Sequence, residues 1–456
     1  MSGSLLDRAR GALPGVAWPP LVEGAAATVL ALARQLEASQ WFEPGDLQAL
    51  QFRQLAVLGP WLAAHSPAFA RRLQAAGLGA DDLGRPDAFS ALPPIERRWF
   101  QAEPDIACDA VPQGHEPIGT NVTSGSTGEF LRIRRTRANQ LIWLAMVLRD
   151  HVWRGTDFAV PLATVRAPSS GIVQHRGWGP PASLLFETGP ALSLPVSLTG
   201  DELFDRLEAF GAGNLLIYPN ALRTLIDAAE RRGARLAALR AIRTVGERVD
   251  GALRERCAAV LGIDIADAYT CQEAGYLALQ CPQGDGYHLM AEGALVELLR
   301  ADGSPCAEGE TGKVVITDLH NHATPVVRYA LGDFAEAGGP CPCGRGLPTV
   351  RQIVGRSRNL IRMPDGNRVW PSLGGFGPQG YLHVVPIRRY QYIQTDPERL
   401  ELRLVTERPL TADEERLIVE RTQVSLGHPF RIEIVYFDEQ LPLPPSQKFE
   451  DFVCLV

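Results

Sequence analysis

Residues 214–245 read NLLIYPNALRTLIDAAERRGARLAALRAIRTV, and their pattern indicates the fold class. Asn214–Tyr218 is a short apolar run typical of a buried strand, Leu222–Arg232 carries apolar residues at helical spacing, and Ile242–Val245 is the next apolar run. A strand, a helix and a second strand in this order predict a βαβ unit with a parallel sheet. Short apolar runs alternate with amphipathic stretches in the same way from Phe158 to Glu247. We therefore expect an α/β fold.

The chain has 456 residues, more than one hydrophobic core usually supports, so two or more domains are expected. The first hundred residues have a mainly helical pattern. Gly293–Leu299 and Gly312–Asp318 are predicted strands separated by an Asp-Gly-Ser turn, which favours an antiparallel or mixed sheet beside the parallel one. Residues 1–356 are thus predicted to form a large N-terminal domain with mixed or parallel sheets and helices.

A smaller domain is predicted over residues 357–456. A proline- and glycine-rich connection (Met363–Gly380) precedes three segments that have the pattern of strand, helix and strand: Tyr390–Thr406, Ala412–Ser425 and Phe430–Phe437. This order predicts a small α+β domain.

Charge and hydropathy exclude several classes of partner. The net charge is −7 and the sequence pI is about 5.8, so no overall field would attract nucleic acid or an anionic membrane. No apolar run approaches the ~20 residues needed to cross a bilayer. The N-terminal MSGSLLDRARGALPG has charges and a proline where a signal peptide needs an apolar stretch. We expect a cytoplasmic location and neither nucleic-acid nor membrane partners.

The segment Asn121–Arg135, NVTSGSTGEFLRIRR, contains the first functional signal. Thr123–Gly128 consists only of hydroxylated residues and glycine, and the Leu-Arg-Ile-Arg that follows alternates like a half-buried strand. Small residues let the backbone approach phosphate oxygens closely, so this turn is suited to binding a polyphosphate. The alternative is a Ser/Gly surface turn without a ligand.

Eight cysteines in a large chain with this expected location favour thiols or metal ligands over a disulfide framework. Cys341 and Cys343 form a close pair in a glycine turn, and Cys281 and His288 are separated by six residues further upstream. These four residues suffice for a tetrahedral structural zinc site. Reduced cysteines with an unrelated histidine are the alternative, and His320 and His322 are alternative ligands.

Five segments in order resemble motifs of the adenylate-forming superfamily, and most closely its phenylacetate–CoA ligase and CapK-like branch. They span about three quarters of the chain, from Asn121 to Lys448. The motifs are the Thr-Ser-Gly-Ser-Thr-Gly loop, YTCQE at 269–273, RYALGD at 328–333, GRS at 355–357 and LPPSQKF at 443–449. Departures from the family pattern are Glu129 after the loop, Arg358 at the hinge position, and Gln447 before the lysine.

The resemblance implies a large domain followed by a small mobile lid domain, and it implies ATP and Mg²⁺ as ligands. The catalytic residues would be Lys448, which stabilises developing charge, and Glu273, which holds Mg²⁺. The hinge would lie near Ser357 and Arg358. The nucleotide-binding residues implied are Thr123, Ser124, Gly125, Ser126, Thr127, Gly128, Gly246, Glu247, Asp267, Ala268, Tyr269, Thr270, Asp333 and Arg356.

The expected activity is ATP-dependent adenylation of an aromatic or otherwise apolar carboxylic acid, with release of pyrophosphate and acyl transfer to CoA or a carrier thiol. Pocket walls are expected in Arg166–Trp178, at Phe186 and at residues 218–220; Trp178 and Phe186 fit a core position equally well. An alternative is direct transfer to an amine or hydroxyl acceptor. A further alternative is a degenerate adenylation fold that serves as a binding or scaffold protein.

Overall fold

The computed structural model describes residues 4–12, 16, 19–123, 131–167, 171–284, 286–356, 359–369, 385–438, 441–442 and 449–456. Within these ranges the α-helices are α1 (Gly24–Ser39), α2 (Pro44–His65), α3 (Pro67–Ala75), α4 (Pro86–Ala91), α5 (Arg97–Ala102), α6 (Arg137–Trp153), α7 (Ala182–Leu185), α8 (Gly200–Phe210), α9 (Pro219–Arg232), α10 (Gly251–Leu261) and α11 (Ala412–Leu426).

The strands follow the same chain order. They are β1 (Gly119–Thr123), β2 (Leu131–Arg135), β3 (Leu162–Val165), β4 (Val173–His175), β5 (Ala191–Leu194), β6 (Asn214–Ile217), β7 (Ala241–Val245), β8 (Ile265–Cys271), β9 (Gly275–Gln280), β10 (Tyr287–Leu289), β11 (Ala294–Leu299), β12 (Thr311–Asp318), β13 (Tyr329–Ala337), β14 (Thr349–Arg356), β15 (Ile361–Arg362), β16 (Arg368–Val369), β17 (Ile387–Asp396), β18 (Arg399–Thr406), β19 (Arg431–Tyr436) and β20 (Phe452–Cys454).

The chain divides into two compact units, one containing residues 1–249 and 257–354, the other residues 250–256 and 355–456. The first unit contains a twelve-stranded sheet in the order β11-β12-β13-β14-β10-β9-β8-β7-β6-β3-β5-β4. The strands β8, β7, β6, β3 and β5 are parallel, and those from β11 to β9 pair antiparallel where their register is given. The predicted α/β class is confirmed, with both kinds of pairing in one sheet.

The parallel strands form because β6, β7 and the helix between them have the burial that their sequence predicts. Leu215 and Ile217 of β6 are buried, and α9 buries Leu222, Leu225 and Ile226. Gly233 ends α9 in the left-handed conformation at φ 57°, which glycine adopts without a Cβ clash.

The order of the parallel strands reverses between β3 and β6. After β3 the chain adds β5 on one side, then returns to add β6, β7 and β8 on the other. In open α/β sheets the crevice outside the carboxyl ends of strands at such a reversal is the usual ligand site. Here that crevice lies beyond Val165 of β3 and Ile217 of β6.

The second unit has its own four-stranded sheet, in the order β19-β18-β17-β20. Its core contains Tyr392, Leu402, Leu404, Ile418 and Phe430, all of them buried. Helix α11 begins with a capping box at Thr411 and Glu414 and ends at Gly427 in the left-handed conformation. The strand–helix–strand pattern read from the sequence is thus present as β18, α11 and β19.

Candidate functional site

Tyr269 and Asp333 come from two different motifs and meet in the first unit. The hydroxyl of Tyr269, on β8, donates to Oδ2 of Asp333, on β13, at 2.6 Å. Three strands separate β8 from β13 in the sheet, so the sheet curls to bring them together. Gly332 precedes the aspartate with φ 78°, a conformation that favours glycine. The predicted ribose and base residues are therefore neighbours.

Glu273 lies in the tight connection between β8 and β9, where Cys271 pairs with Gly275. Gly275 has φ 84°, and a Cβ there would lie 2.9 Å from Cδ1 of Trp143, so the turn requires glycine. Glu273 is buried, and its Oε1 lies 4.0 Å from Nη1 of Arg97. Arg135 donates to the carbonyl of Gln272 at 3.0 Å and fixes the start of the turn.

Tyr329 links these groups electrostatically. Burial raises the pKa of its phenol, the negative charges of Glu273 and Asp333 raise it further, and the positive charge of Arg97 opposes them. The phenol is therefore neutral at physiological pH. Glu273, Asp333 and Arg97 thus all act electrostatically on one buried tyrosine.

Arg328, which precedes Tyr329 in the motif, is a structural residue. It is buried, and its guanidinium forms a bidentate pair with Glu297 at 2.9 and 3.1 Å. It also donates to the carbonyl of Leu92 at 2.6 Å and lies over the ring of Phe89. Its backbone has φ 45°, a strained value for a non-glycine residue that these contacts hold in place.

The predicted base-binding residues lie at the ends of β7 and on β8. Gly246 follows β7 with φ 81°, and the carboxylate of Glu247 accepts the backbone N–H of Asn220 at 2.8 Å, near the start of α9. Ala268 is buried, and Thr270 is half-buried on β8. Glu247 therefore fixes the segment that follows β6.

Asp267 has a structural role that the sequence did not reveal. One carboxylate oxygen accepts from the hydroxyl of Thr244 at 2.6 Å, and the other accepts from that of Tyr287 at 2.7 Å. Both donors come from within the sheet, on β7 and β10. The carboxylate therefore ties three strands together, and its predicted part in the adenine pocket stays a prediction.

The predicted pocket walls separate into two groups. Tyr218 lies at the reversal between β3 and β6, where its hydroxyl donates to the carbonyl of Ala167 at 3.3 Å. Phe186, by contrast, is buried and stacks on Phe158 at 4.7 Å, and Trp178 packs edge-on against Phe158 at 5.2 Å. Phe186 thus lies in the core, and the half-buried Trp178 packs against that core.

Trp143 and Tyr276 are candidate pocket residues that sequence reasoning missed. Both are half-buried, their rings lie 6.4 Å apart, and Trp143 contacts Gly275 at the turn that carries Glu273. In the sequence, only their positions could have pointed to these residues. Trp143 lies in the first helix after the glycine-rich loop, and Tyr276 lies three residues after Glu273.

The four predicted zinc ligands come together, and their ligand atoms all lie within 4.8 Å of one another. Sγ of Cys341 lies 3.7 Å from that of Cys281, and Sγ of Cys343 lies 3.2 Å from Nε2 of His288. The edge of a tetrahedron with Zn–S bonds of about 2.3 Å is about 3.8 Å, so these spacings fit a tetrahedral ion. His320 and His322 bind backbone carbonyls elsewhere.

The ligands are oriented as a metal site requires. Nδ1 of His288 lies 3.5 Å from the carbonyl of Leu347, which leaves Nε2 facing the cysteines. Burial lowers the pKa of this imidazole to about 4, so it is neutral and able to ligate at physiological pH. Next to the cluster, Arg345 donates to Oε1 of Gln40 at 2.9 Å, which attaches the cysteine loop to the end of α1.

Several predicted residues lie outside the described part of the chain. They are Ser124–Gly128 of the loop, Ser357 and Arg358 at the hinge position, and Lys448. Thr123 ends β1 and pairs with Leu131 of β2 in an antiparallel hairpin. In the second unit, Nη1 of Arg356 lies 4.0 Å from Oε1 of Glu450.

The described helices include none with the length and apolar character that crossing a membrane requires.

Sequence comparison finds two phenylacetate–coenzyme A ligases among the relatives. The chain is 25% identical to that of Thermus thermophilus over 353 residues, which are 72% of this chain and 74% of the relative. It is 25% identical to that of Escherichia coli K12 over 350 residues, 72% of this chain and 75% of the relative. No family model matches the chain.

Two solved structures share the fold. A 2-hydroxyisobutyryl-CoA ligase, in the postadenylation state with an acyl-AMP, has a TM-score of 0.68 and 18% identity over 89% of this chain and 88% of its own. The anthranilate CoA ligase AuaEII, in complex with anthranoyl-AMP, has a TM-score of 0.56 and 16% identity over 77% and 68%. With the ordered motifs and the sequence relatives, this fold confirms the predicted resemblance to the adenylate-forming superfamily: the chain is a phenylacetate–CoA ligase-like, AMP-forming acid ligase.

Proposed function

We propose that the chain adenylates an aromatic or otherwise apolar carboxylic acid and passes the acyl group to the thiol of CoA or of a carrier protein. The observation that carries this proposal is the bond of 2.6 Å between Tyr269 and Asp333, with Glu273 close by around Tyr329. Residues from separate motifs form one acidic, partly buried edge, as binding of a ribose and a phosphate-bound cation requires.

In the first half-reaction an oxygen of the acid forms a bond to the α-phosphorus of ATP. The bond from that phosphorus to the bridging oxygen breaks, and pyrophosphate leaves with the electron pair. Two anions must approach each other, so the site has to neutralise charge and hold the attack in line. Lys448 is the proposed source of positive charge at the attacked phosphate.

Asp333 is the proposed ribose residue. A carboxylate has about four lone-pair sites, so the bond from Tyr269 leaves acceptor capacity for ribose hydroxyls. The same bond fixes the carboxylate in one orientation before ATP arrives. Glu273 would hold Mg²⁺, which neutralises charge on the phosphates, because a buried carboxylate is a suitable oxygen ligand. Arg356 is proposed to support the ribose or a phosphate.

The preference for an apolar acid is supported by Trp143 and Tyr276. They provide two half-buried aromatic faces next to the turn of Glu273. Flat apolar walls with a few polar groups are typical of sites for small aromatic ligands. Tyr218 at the strand reversal is the proposed third wall.

The acceptor is proposed from the relatives. Both sequence relatives are named as coenzyme A ligases, and a 2-hydroxyisobutyryl-CoA ligase with the same fold has been solved with an acyl-AMP and CoA together. We therefore place CoA first among acceptors, followed by a carrier thiol and then an amine or hydroxyl.

A structural zinc ion is the second ligand that we propose. The cluster of Cys281, His288, Cys341 and Cys343 supplies four ligand atoms, which is the closed set of a structural rather than a catalytic site. The site would join the β9–β10 hairpin to the loop before β14. Metal analysis of the purified protein tests it, with one zinc per chain expected.

Exchange of labelled pyrophosphate into ATP, run with a panel of acids, tests the adenylation. We expect exchange that depends on an aryl or apolar acid and on Mg²⁺. Addition of CoA, carrier proteins or amines then identifies the acceptor. Binding of MgATP without exchange, for every acid in the panel, would instead support a binding or scaffold protein.

A further inference from the structure

We propose that Arg97 contacts the β- and γ-phosphates of ATP and the departing pyrophosphate, beside the Mg²⁺ position at Glu273. The inference deepens the proposed adenylation and rests on it. Arg97 lies in the helical first hundred residues, where the sequence shows no motif, so neither composition nor motif order pointed to it.

The backbone of Arg97 is fixed against the 328–333 motif. The N–H of Ile95 donates to the carbonyl of Arg328 at 2.9 Å, and the N–H of Ala330 donates to the carbonyl of Ile95 at 2.8 Å. Phe100, on the same short helix as Arg97, packs edge-on against Tyr329 at 5.8 Å. Arg97 is thus held in register with the strand that carries Asp333.

The pair formed by Arg97 and Glu273 differs from the structural arginine–glutamate pairs of the same unit. Arg328–Glu297 and Arg149–Glu292 are bidentate, with distances of 2.6–3.1 Å, and both arginine side chains are 3% exposed. Arg97 lies 4.0 Å from Glu273, beyond hydrogen-bond distance, and its side chain is 30% exposed. The guanidinium of Arg97 is thus more accessible to a ligand beside Glu273 than the guanidinium of either structural pair.

The departing pyrophosphate also requires a positively charged group close to it. The sequence between Thr123 and Leu131 contains no lysine or arginine. Pyrophosphate gains negative charge as it leaves, and backbone donors alone do not neutralise it. A guanidinium presents paired N–H donors that match two phosphate oxygens, and it stays protonated at all physiological pH values. Arg97 brings such donors to within 4.0 Å of the carboxylate of Glu273.

Arg97→Gln and Arg97→Lys, with Arg98→Gln as the matched control, test the proposal. Arg98 is the next residue, its side chain is 91% exposed, and its Nη2 lies 3.6 Å from Oε2 of Glu96. The measurements are the KM values of pyrophosphate, ATP and acid in the exchange reaction, the Kd of MgATP by calorimetry, and the melting temperature.

For Arg97→Gln we expect the KM of pyrophosphate and the Kd of MgATP to rise tenfold or more, with the KM of the acid within twofold. Arg97→Lys should recover part of the loss, and Arg98→Gln should resemble the wild type. Unchanged pyrophosphate and ATP constants in Arg97→Gln would overturn the proposal. An equal rise in all three KM values together with a lowered melting temperature would also overturn it, because that result indicates a structural ion pair.

The two proposals fail in different ways. If the wild type binds MgATP but exchanges with no acid, the adenylation proposal fails, and weaker MgATP binding by Arg97→Gln still supports the phosphate contact. If the wild type exchanges and Arg97→Gln retains wild-type constants, only the phosphate contact fails.

Discussion

The candidate metal centre and the candidate nucleotide site are built in opposite ways. The metal centre has all four ligands within one unit, with their atoms within 4.8 Å. The candidate nucleotide site has Tyr269, Glu273 and Asp333 in that unit, and its proposed catalytic residue, Lys448, lies far from them in the sequence. A closed set of ligands suits a permanent structural ion, and a set that is not closed suits a substrate that must enter and leave.

If this contrast is correct, changes at the nucleotide site should abolish catalysis without unfolding the protein. Changes at the candidate metal centre should instead destabilise the fold and leave the catalytic rate of the folded protein nearly unchanged.

The largest effect is expected for Lys448→Ala. Loss of the charge at the attacked phosphate should lower acid-dependent pyrophosphate exchange by roughly 10²–10³-fold, with little change in melting temperature. Lys313 is the one other lysine in the sequence and lies exposed on β12, so Lys313→Ala is the matched control and should retain full activity. Equal activity of the two variants would remove Lys448 from the mechanism.

Asp333→Asn should raise the KM of ATP by roughly 10–100-fold, because a charged acceptor of ribose hydroxyls is lost. Tyr269→Phe removes only the bond of 2.6 Å that orients Asp333 and should raise this KM by about fivefold. Kinetics with 2′-deoxy-ATP and 3′-deoxy-ATP identify the cause. The wild type should discriminate against them and Asp333→Asn should not; full discrimination by the variant would contradict the ribose assignment.

Cys343→Ser should lose zinc and lower the melting temperature by about 5–10 °C, because a structural ion contributes folding free energy. The exchange rate per folded molecule should stay within about threefold of the wild type, since the cluster is proposed to bind no substrate. Cys306→Ser, at a cysteine outside the cluster, serves as the control. Loss of exchange at temperatures where Cys343→Ser remains folded would show that the two regions are coupled.

The smallest effect is expected for Trp143→Ala. Removal of one aromatic wall should raise the KM of an aryl acid by about fivefold and leave the KM of ATP unchanged. Steady-state kinetics with both substrates varied will show whether the effect is confined to the acid. A change in the KM of ATP alone would place Trp143 at the nucleotide instead.

The sequence predicted those parts of the molecule in which local pattern and local structure agree. The βαβ unit around α9 follows from apolar periodicity, and the order of the motifs indicated the superfamily. The clustering of Cys281, His288, Cys341 and Cys343 was also predictable, because the chemistry of cysteine and histidine favours their grouping as the ligands of a structural ion.

The residue roles that the sequence did not reveal depend on contacts between segments far apart in the sequence. Arg97 resembles any other arginine in a helix until Ile95 is seen to pair with the strand of Asp333. The structural role of Asp267 likewise becomes visible only when Thr244 and Tyr287, from two other strands, are seen to donate to its carboxylate. Phe186 fitted a pocket wall as well as a core, and only its stacking on Phe158 distinguishes the two.

The most direct test of the central claim is a single-turnover reaction without an acceptor, analysed by mass spectrometry. Enzyme in excess over an acid that supports exchange, with MgATP, should yield the acyl-AMP of that acid and an equal amount of pyrophosphate. Formation of ADP and phosphate, or of AMP without an acyl adenylate, would contradict the account.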